Sequence, residues 1–68
     1  MFVVIELQKT GESLANLVTA HESRDEAEQK YHAVLSAAAV SSVSAHSAVM
    51  LDDTGHQLKR ETYFHGVQ

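Results

Sequence analysis

The chain begins with hydrophobic residues at alternate positions, the pattern of a β-strand with one buried side. In "FVVIELQK", one side is apolar throughout and carries Val3, Ile5 and Leu7. The other side begins with Phe2 and Val4 and then turns polar. The turn sequence "TGES" follows, and Gly11 in it can adopt a positive φ. Alternation resumes in "LANLVTAHE", so the two runs predict a β-hairpin.

A helical period replaces this alternation in "SRDEAEQKYHAVLSAAAVS". Ser23 stands three residues before Glu26, which is the capping-box pattern of a helix start. The apolar stripe that follows consists of Ala27, Tyr31, Val34, Leu35 and Ala38. We predict that the helix ends near Ser41 and Ser42, where consecutive hydroxyl groups compete for backbone hydrogen bonds.

The last third of the chain returns to alternation. The runs "SAHSAVML" and "HQLKRETYF" flank "DDTG", a turn sequence that ends at Gly55. They predict a second hairpin, and the element order becomes ββαββ. We therefore predict one small α+β domain over residues 1–68, a four-stranded antiparallel sheet with one helix packed on one face. The order of the strands and their registers stay open at this stage.

The small size of the chain favours a protein that associates with copies of itself. A domain of 68 residues buries a small core, and such domains usually need disulfides, a metal or association. Cysteine is absent, so disulfides and cysteine-based zinc sites are excluded. The net charge of −4 disfavours a nucleic-acid partner, and the longest apolar run, Met1 to Ile5, is too short for a membrane span. We expect a cytoplasmic homodimer or homotetramer without a signal peptide.

Two surfaces are candidates for the interface between copies. The helix has a second stripe of small residues, Ala33, Ala37 and Val40, which would allow close approach of a neighbour. We expect the sheet face away from the helix to carry Phe2 and Val4, which are too apolar to remain in water. The simpler interpretation of the small residues is that alanine favours helices and lets this helix lie close to its own sheet.

No catalytic or metal motif stands out. The five histidines lack the i,i+4 or His-x-His spacing of a metal site, and we expect them to be polar surface or interface residues. No serine lies in a Gly-x-Ser-x-Gly turn, and the glycines form no phosphate-binding loop. The sequence therefore predicts a protein that is not an enzyme and holds no cofactor or metal.

Cationic and aromatic residues are the remaining candidates for ligand binding. The predicted ligand residues are Arg60, Lys59, Tyr63, Tyr31 and Lys30. Arginine offers a planar fork to a phosphate or carboxylate, and tyrosine offers a flat surface to a base. Arg60 alternates with apolar residues, so we expect it to be half-buried and to need an anionic partner, either a ligand or Glu6 or Glu61.

The stretch "YHAVLSAAAVS", with "FVVIELQKT" before it and "VMLDDTG" after it, resembles a group of short proteins of phages and prophages of gut Firmicutes. The resemblance implies a virus-encoded accessory protein of the host cytoplasm. It suggests an anti-defence protein that sequesters a small anionic, nucleotide-type immune signal. The alternatives are a module that blocks a host protein and a minor virion or assembly component.

Overall fold

The computed structural model describes residues 1–65 and shows the predicted α+β fold. Four antiparallel strands form one sheet, and a single helix packs against one of its faces. The elements in chain order are β1 (Phe2–Thr10), β2 (Ser13–His21), α1 (Arg24–Ala39), β3 (Ala45–Asp52) and β4 (Gln57–Phe64).

The sheet has the strand order β2-β1-β3-β4, so β2 and β4 are its two edges. Both predicted hairpins are present, and β1 also pairs with β3 to join them. Gly11 and Gly55 have φ values of 61° and 88°, so each turn uses a glycine in the left-handed region. The β3–β4 pairing is interrupted by an irregularity between Met50 and Leu51.

The helix begins as predicted and ends slightly earlier than expected. The Ser23 hydroxyl accepts a hydrogen bond from the backbone N–H of Glu26 at 3.2 Å, which satisfies one of the free amides of the first turn. The last helical residue is Ala39. The N–H of Val40 donates to the carbonyl of Ala37 at 3.3 Å, and the N–H of Ser41 donates to that of Ala38 at 3.2 Å.

The core lies between α1 and the two central strands. Tyr31 and Val34 from the helix pack on Val4 and Met50 from the sheet, and Phe2 and Leu58 lie at the margin. The expectation that Phe2 and Val4 form an interface on the open face is therefore wrong. The register pairs Val4 with Met50, and both side chains point toward the helix.

The helix covers the side of β1 that carries Phe2, Val4 and Glu6, and not the fully apolar side. The buried side chains of α1 are mostly small, and they fit this side of the sheet. The buried helix residues Ala27, Val34 and Ala38 are small, so Tyr31 is the one bulky buried group of α1. Such a stripe fits against Val4, Ala48 and Met50. The more apolar side, with Val3, Ile5 and Leu7, is left facing away from α1.

Candidate functional site

The face of the sheet opposite α1 is called here the open face, and strand registers define its side chains. Residues paired across antiparallel strands point to the same side of the sheet. The central row runs Val18, Ile5, Val49, Arg60 from β2 to β4. The rows on either side are Ala20, Val3, Leu51, Gln57 and Asn16, Leu7, Ser47, Thr62, and the last row is Leu14, Lys9, Ala45, Phe64.

The centre of the open face is apolar and is formed by Val3, Ile5, Leu7, Val49 and Leu51. The outer side chains of this face are well exposed: Phe64 is 74%, Leu14 65% and Val18 57% accessible. The inner ones, such as Ile5 and Val49, are half-buried by their neighbours, with no helix over them. A large contiguous apolar patch on a small protein marks a surface that is covered by something else.

Arg60 lies on this face. The prediction that its side chain is half-buried is wrong, because the side chain is exposed. The irregularity in the β3–β4 pairing is the reason. Because Leu51 pairs with Gln57 while Met50 pairs with Lys59, Leu58 becomes an additional residue and packs against the core. Arg60 therefore lacks the apolar neighbour Leu58 that the alternation suggested. The proposed partner Glu61 points to the other face, and Glu6 bonds to His46 instead.

Lys59 and Tyr31 meet on the helix side of the sheet. The Lys59 ammonium group donates to Oε1 of Glu28 at 2.7 Å and lies 5.8 Å from the centre of the Tyr31 ring. Burial raises the pKa of the Tyr31 hydroxyl, and the charges of Glu61 and Glu28 raise it further. The Lys59 charge is thus already paired, and the Tyr31 ring is buried, so neither is presented to a ligand.

Lys30 belongs to a different part of the surface. With Ala33 of the helix and His21 of β2 it lines a groove of about 450 Å³. The second helix stripe borders the same region: Ala33 and Ala37 are exposed, and Val40 is 86% accessible. The helix stripe is therefore available to a neighbour, but its side chains project little.

Tyr63, at the end of β4, stacks its ring parallel to that of His65, with centroids 6.2 Å apart. It points to the helix side of the sheet, because it pairs with His46. Of the five predicted ligand residues, the structure therefore brings only Lys59 and Tyr31 into contact. Arg60 is on the opposite face, and one protomer holds no convergent cationic pocket built from this set among its described residues.

Sequence reasoning missed a buried polar pair between β1 and β3. His46 is only 3% accessible, and its Nε2 lies 2.6 Å from Oε2 of Glu6. The Gln8 amide donates to the same oxygen at 3.0 Å. The prediction that the histidines are surface or interface residues is therefore wrong for His46. Its alternation with Ala48 and Met50, which are buried, was the available signal.

The contact between Glu6 and His46 lowers the pKa of the Glu6 carboxyl. Burial raises the pKa of Glu6, but hydrogen bonds from His46 and Gln8 and the charges of His46 and Lys30 outweigh it and bring that pKa below 4.5. Nδ1 of His46 is buried and has no hydrogen-bond partner within residues 1–65.

Two further observations concern the described part of the chain. Residues 1–65 contain no cluster of three or more His, Asp or Glu side chains able to hold a metal ion. The helix that they form is too short and too polar to cross a bilayer.

Comparisons of the chain with protein families, with curated proteins and with solved structures found no match.

Proposed function

We propose that this protein is a self-associating binding module, with the open face as the interface between two copies. The observation that carries the proposal is the apolar patch centred on Ile5 and Val49, which α1 does not cover. The protomer's own core is small: the large side chains that are fully buried are Val4 and Met50. Packing two open faces together would give the sheet a second core layer, as in a β-sandwich.

The size of the open face suits a second copy. Four strands spaced about 4.8 Å apart, with about 27 Å of strand length, cover roughly 500 Å² of sheet plane. A two-fold arrangement buries this patch on both copies, roughly 1,000 Å² in total, which is about the smallest area expected of a biological interface. An isologous contact needs no second kind of surface, because the same patch serves both partners.

The distribution of charge on the open face also fits an interface. At the paired strand positions of this face, the charged side chains are Lys9 and Arg60. Lys9 lies near the end of β1, and Arg60 lies on an edge strand, so both belong to the rim. An apolar centre with a charged rim is the usual organisation of a protein–protein interface.

Replacing Ile5 and Val49 together by threonine tests the interface. Threonine keeps the β-branched shape that a strand favours but places hydroxyl groups in the centre of the patch. Because each substitution occurs in both copies, we expect the dissociation constant of the face-to-face dimer to rise at least about 100-fold, or about 2.7 kcal/mol. Sedimentation velocity over a concentration series measures this change.

Val40→Thr is the matched control. It makes the same kind of substitution at the exposed end of α1, on the predicted helix stripe. We expect no change in the mass distribution for this variant. A loss of association on Val40→Thr, with Ile5→Thr/Val49→Thr unaffected, would assign the interface to the helix and refute the proposal.

A second candidate function is sequestration of a small anionic ligand, such as a nucleotide-type signal, between copies. Both charges on the open face are positive although the chain has a net charge of −4, and two-fold symmetry would supply Lys9 and Arg60 twice. The geometry gives this candidate less support than the binding module, because Lys59, Tyr63, Tyr31 and Lys30 are absent from that face.

A thermal-shift panel of cyclic dinucleotides and ADP-ribose distinguishes the two candidates. A ligand that binds only the folded protein at 100 times its Kd adds about 2.7 kcal/mol of stability, which raises the melting temperature by roughly 10–20 °C. If sequestration is the function, one compound should give this shift, and Arg60→Ala should abolish it. No shift with any compound at millimolar concentration would leave the binding module as the function.

A further inference from the structure

The two edges of the sheet differ in how well they are protected from pairing with another strand. β4 carries three consecutive charged residues, Lys59, Arg60 and Glu61, and the adjoining pairing contains the irregularity at Met50 and Leu51. Charges and bulges are the common means by which proteins keep an edge strand unpaired. β4 is therefore a protected edge.

β2 has none of these features. Its nine residues, "SLANLVTAH", include no Lys, Arg, Asp, Glu or Pro, and its register with β1 is unbroken from His21 to Ser13. Leu14, Leu17 and Val18 along it are more than half exposed. A long, regular and uncharged edge with exposed apolar side chains is a surface for strand pairing.

The free backbone groups of β2 can be assigned from the turn. Gly11 and Glu12 form a two-residue loop between the paired residues Thr10 and Ser13, and such a loop closes on a hydrogen-bonded pair. Because hydrogen-bonded and non-hydrogen-bonded positions alternate, the odd-numbered residues of β2 bond to β1. The residues whose N–H and C=O groups point outward are Leu14, Asn16, Val18 and Ala20.

We propose that β2 pairs with the β2 strand of a second copy, antiparallel, with Leu17 on the two-fold axis. In this register Asn16 is opposite Val18 of the other copy and Leu14 is opposite Ala20, so all four outward-pointing residues pair. Leu17, which is 53% accessible on the helix side, packs against its own symmetry mate. The strand contains no acid or lysine to oppose itself, so a second copy meets no like charge within the ladder.

The result is a continuous eight-stranded sheet with both helices on the same side and the two open faces joined into one surface. This contact is separate from the face-to-face packing proposed above and does not depend on it. If both contacts form, two such sheets pack through their open faces, and the assembly is a tetramer with three two-fold axes.

A single introduced cysteine tests the edge contact directly, because the chain has no cysteine of its own. In the proposed register residue 17 is a non-hydrogen-bonded pair, with Cα atoms about 4.5 Å apart, which is within disulfide range. We expect Leu17→Cys to form an intermolecular disulfide under oxidised glutathione, seen as a dimer on non-reducing gels. Glu61→Cys is the matched control, since Glu61 is exposed, faces the helix side and occupies the equivalent row of the other edge.

The expected result is cross-linking of Leu17→Cys at least 10 times faster than that of Glu61→Cys at the same protein concentration. The same difference should persist when Ile5→Thr/Val49→Thr is added, which removes the face contact and leaves the edge contact. Equal rates for the two cysteine variants, or a Leu17→Cys protein that remains reduced, would overturn the β2 pairing. That outcome would leave the proposed open-face dimer untouched.

Discussion

Met50→Ala should remove about 2–5 kcal/mol from the free energy of unfolding. Met50 is fully buried at the centre of the core, between Val4 on β1 and the helix residues Tyr31 and Val34. Truncation loses the transfer free energy of the side chain and leaves a cavity that a sheet under a helix fills poorly. A domain of this length has roughly 3–10 kcal/mol of stability in total, so this single substitution should remove a large part of it.

Urea unfolding followed by far-UV circular dichroism measures the effect. Wild type and variant must be compared at one chain concentration, because association adds to the apparent stability. Val40→Ala is the control; its side chain is exposed at the end of the helix, and we expect a change within about 0.5 kcal/mol. A loss below 1 kcal/mol for Met50→Ala would contradict the placement of the core between α1 and the side of the sheet that carries Val4.

The second large effect concerns the Glu6–His46 pair. Glu6→Leu removes the acceptor of the buried His46 imidazole, so Nε2 joins Nδ1 as an unpaired buried group. We expect a loss of about 1–3 kcal/mol, because an unsatisfied buried donor costs its full desolvation free energy. Glu6→Leu/His46→Leu replaces both partners by apolar groups and should recover most of that loss. Urea unfolding of Glu6→Leu, His46→Leu and the double variant gives the coupling free energy between the two side chains.

The pair also predicts how stability depends on pH. The pKa of Glu6 is lower in the folded protein than its ordinary value of 4.5, so ionisation of this carboxyl stabilises the fold above that pH. The contribution should be lost as the pH falls from about 4.5 through the folded-state pKa. Glu6→Gln should flatten the stability curve in this acid range. Two results together would contradict the interaction: a pH dependence of stability below about pH 4.5 that Glu6→Gln leaves unchanged, and losses of stability in the two single leucine variants that add up to the loss in the double variant.

The element order could be predicted because each element has its own local pattern. The capping pattern of Ser23 and Glu26 marks the helix start, and the turn glycines Gly11 and Gly55 mark the two hairpins. These features depend on neighbouring residues alone, so they are readable without knowing the tertiary contacts. The ββαββ order with one sheet and one helix is accordingly confirmed.

The side of the sheet that the helix covers could not be predicted in the same way. Alternation separates Val3, Ile5 and Leu7 from Phe2 and Val4, but both sets are apolar enough to be buried. Which side is covered depends on the β1–β3 register and on how the buried helix residues Ala27, Val34 and Ala38 pack on the sheet. Both are tertiary properties. The His46–Glu6 pair adds to the difficulty, since it allows the more polar side of β1 to be the buried one.

Arg60 illustrates a second limit of pattern reading. A strict period of two places Leu58 and Arg60 on one side of β4, but one additional residue in the strand ends that relation. Leu58 turns to the core, and Arg60 stays on the open face. A bulge changes the side of every residue on one half of a strand, and nothing in "HQLKRETYF" marks its position.

Whether the open face is covered by a second copy can be tested by nuclear magnetic resonance on a mixture of isotope-labelled and unlabelled chains. Isotope-filtered spectra record only contacts between different copies. The predicted result is intermolecular cross-peaks to the methyl groups of Ile5, Leu7 and Val49, in a particle heavier than the 7.4 kDa of one chain. A folded 7.4 kDa particle whose Ile5 and Val49 methyl groups show no intermolecular cross-peaks would contradict the proposed function.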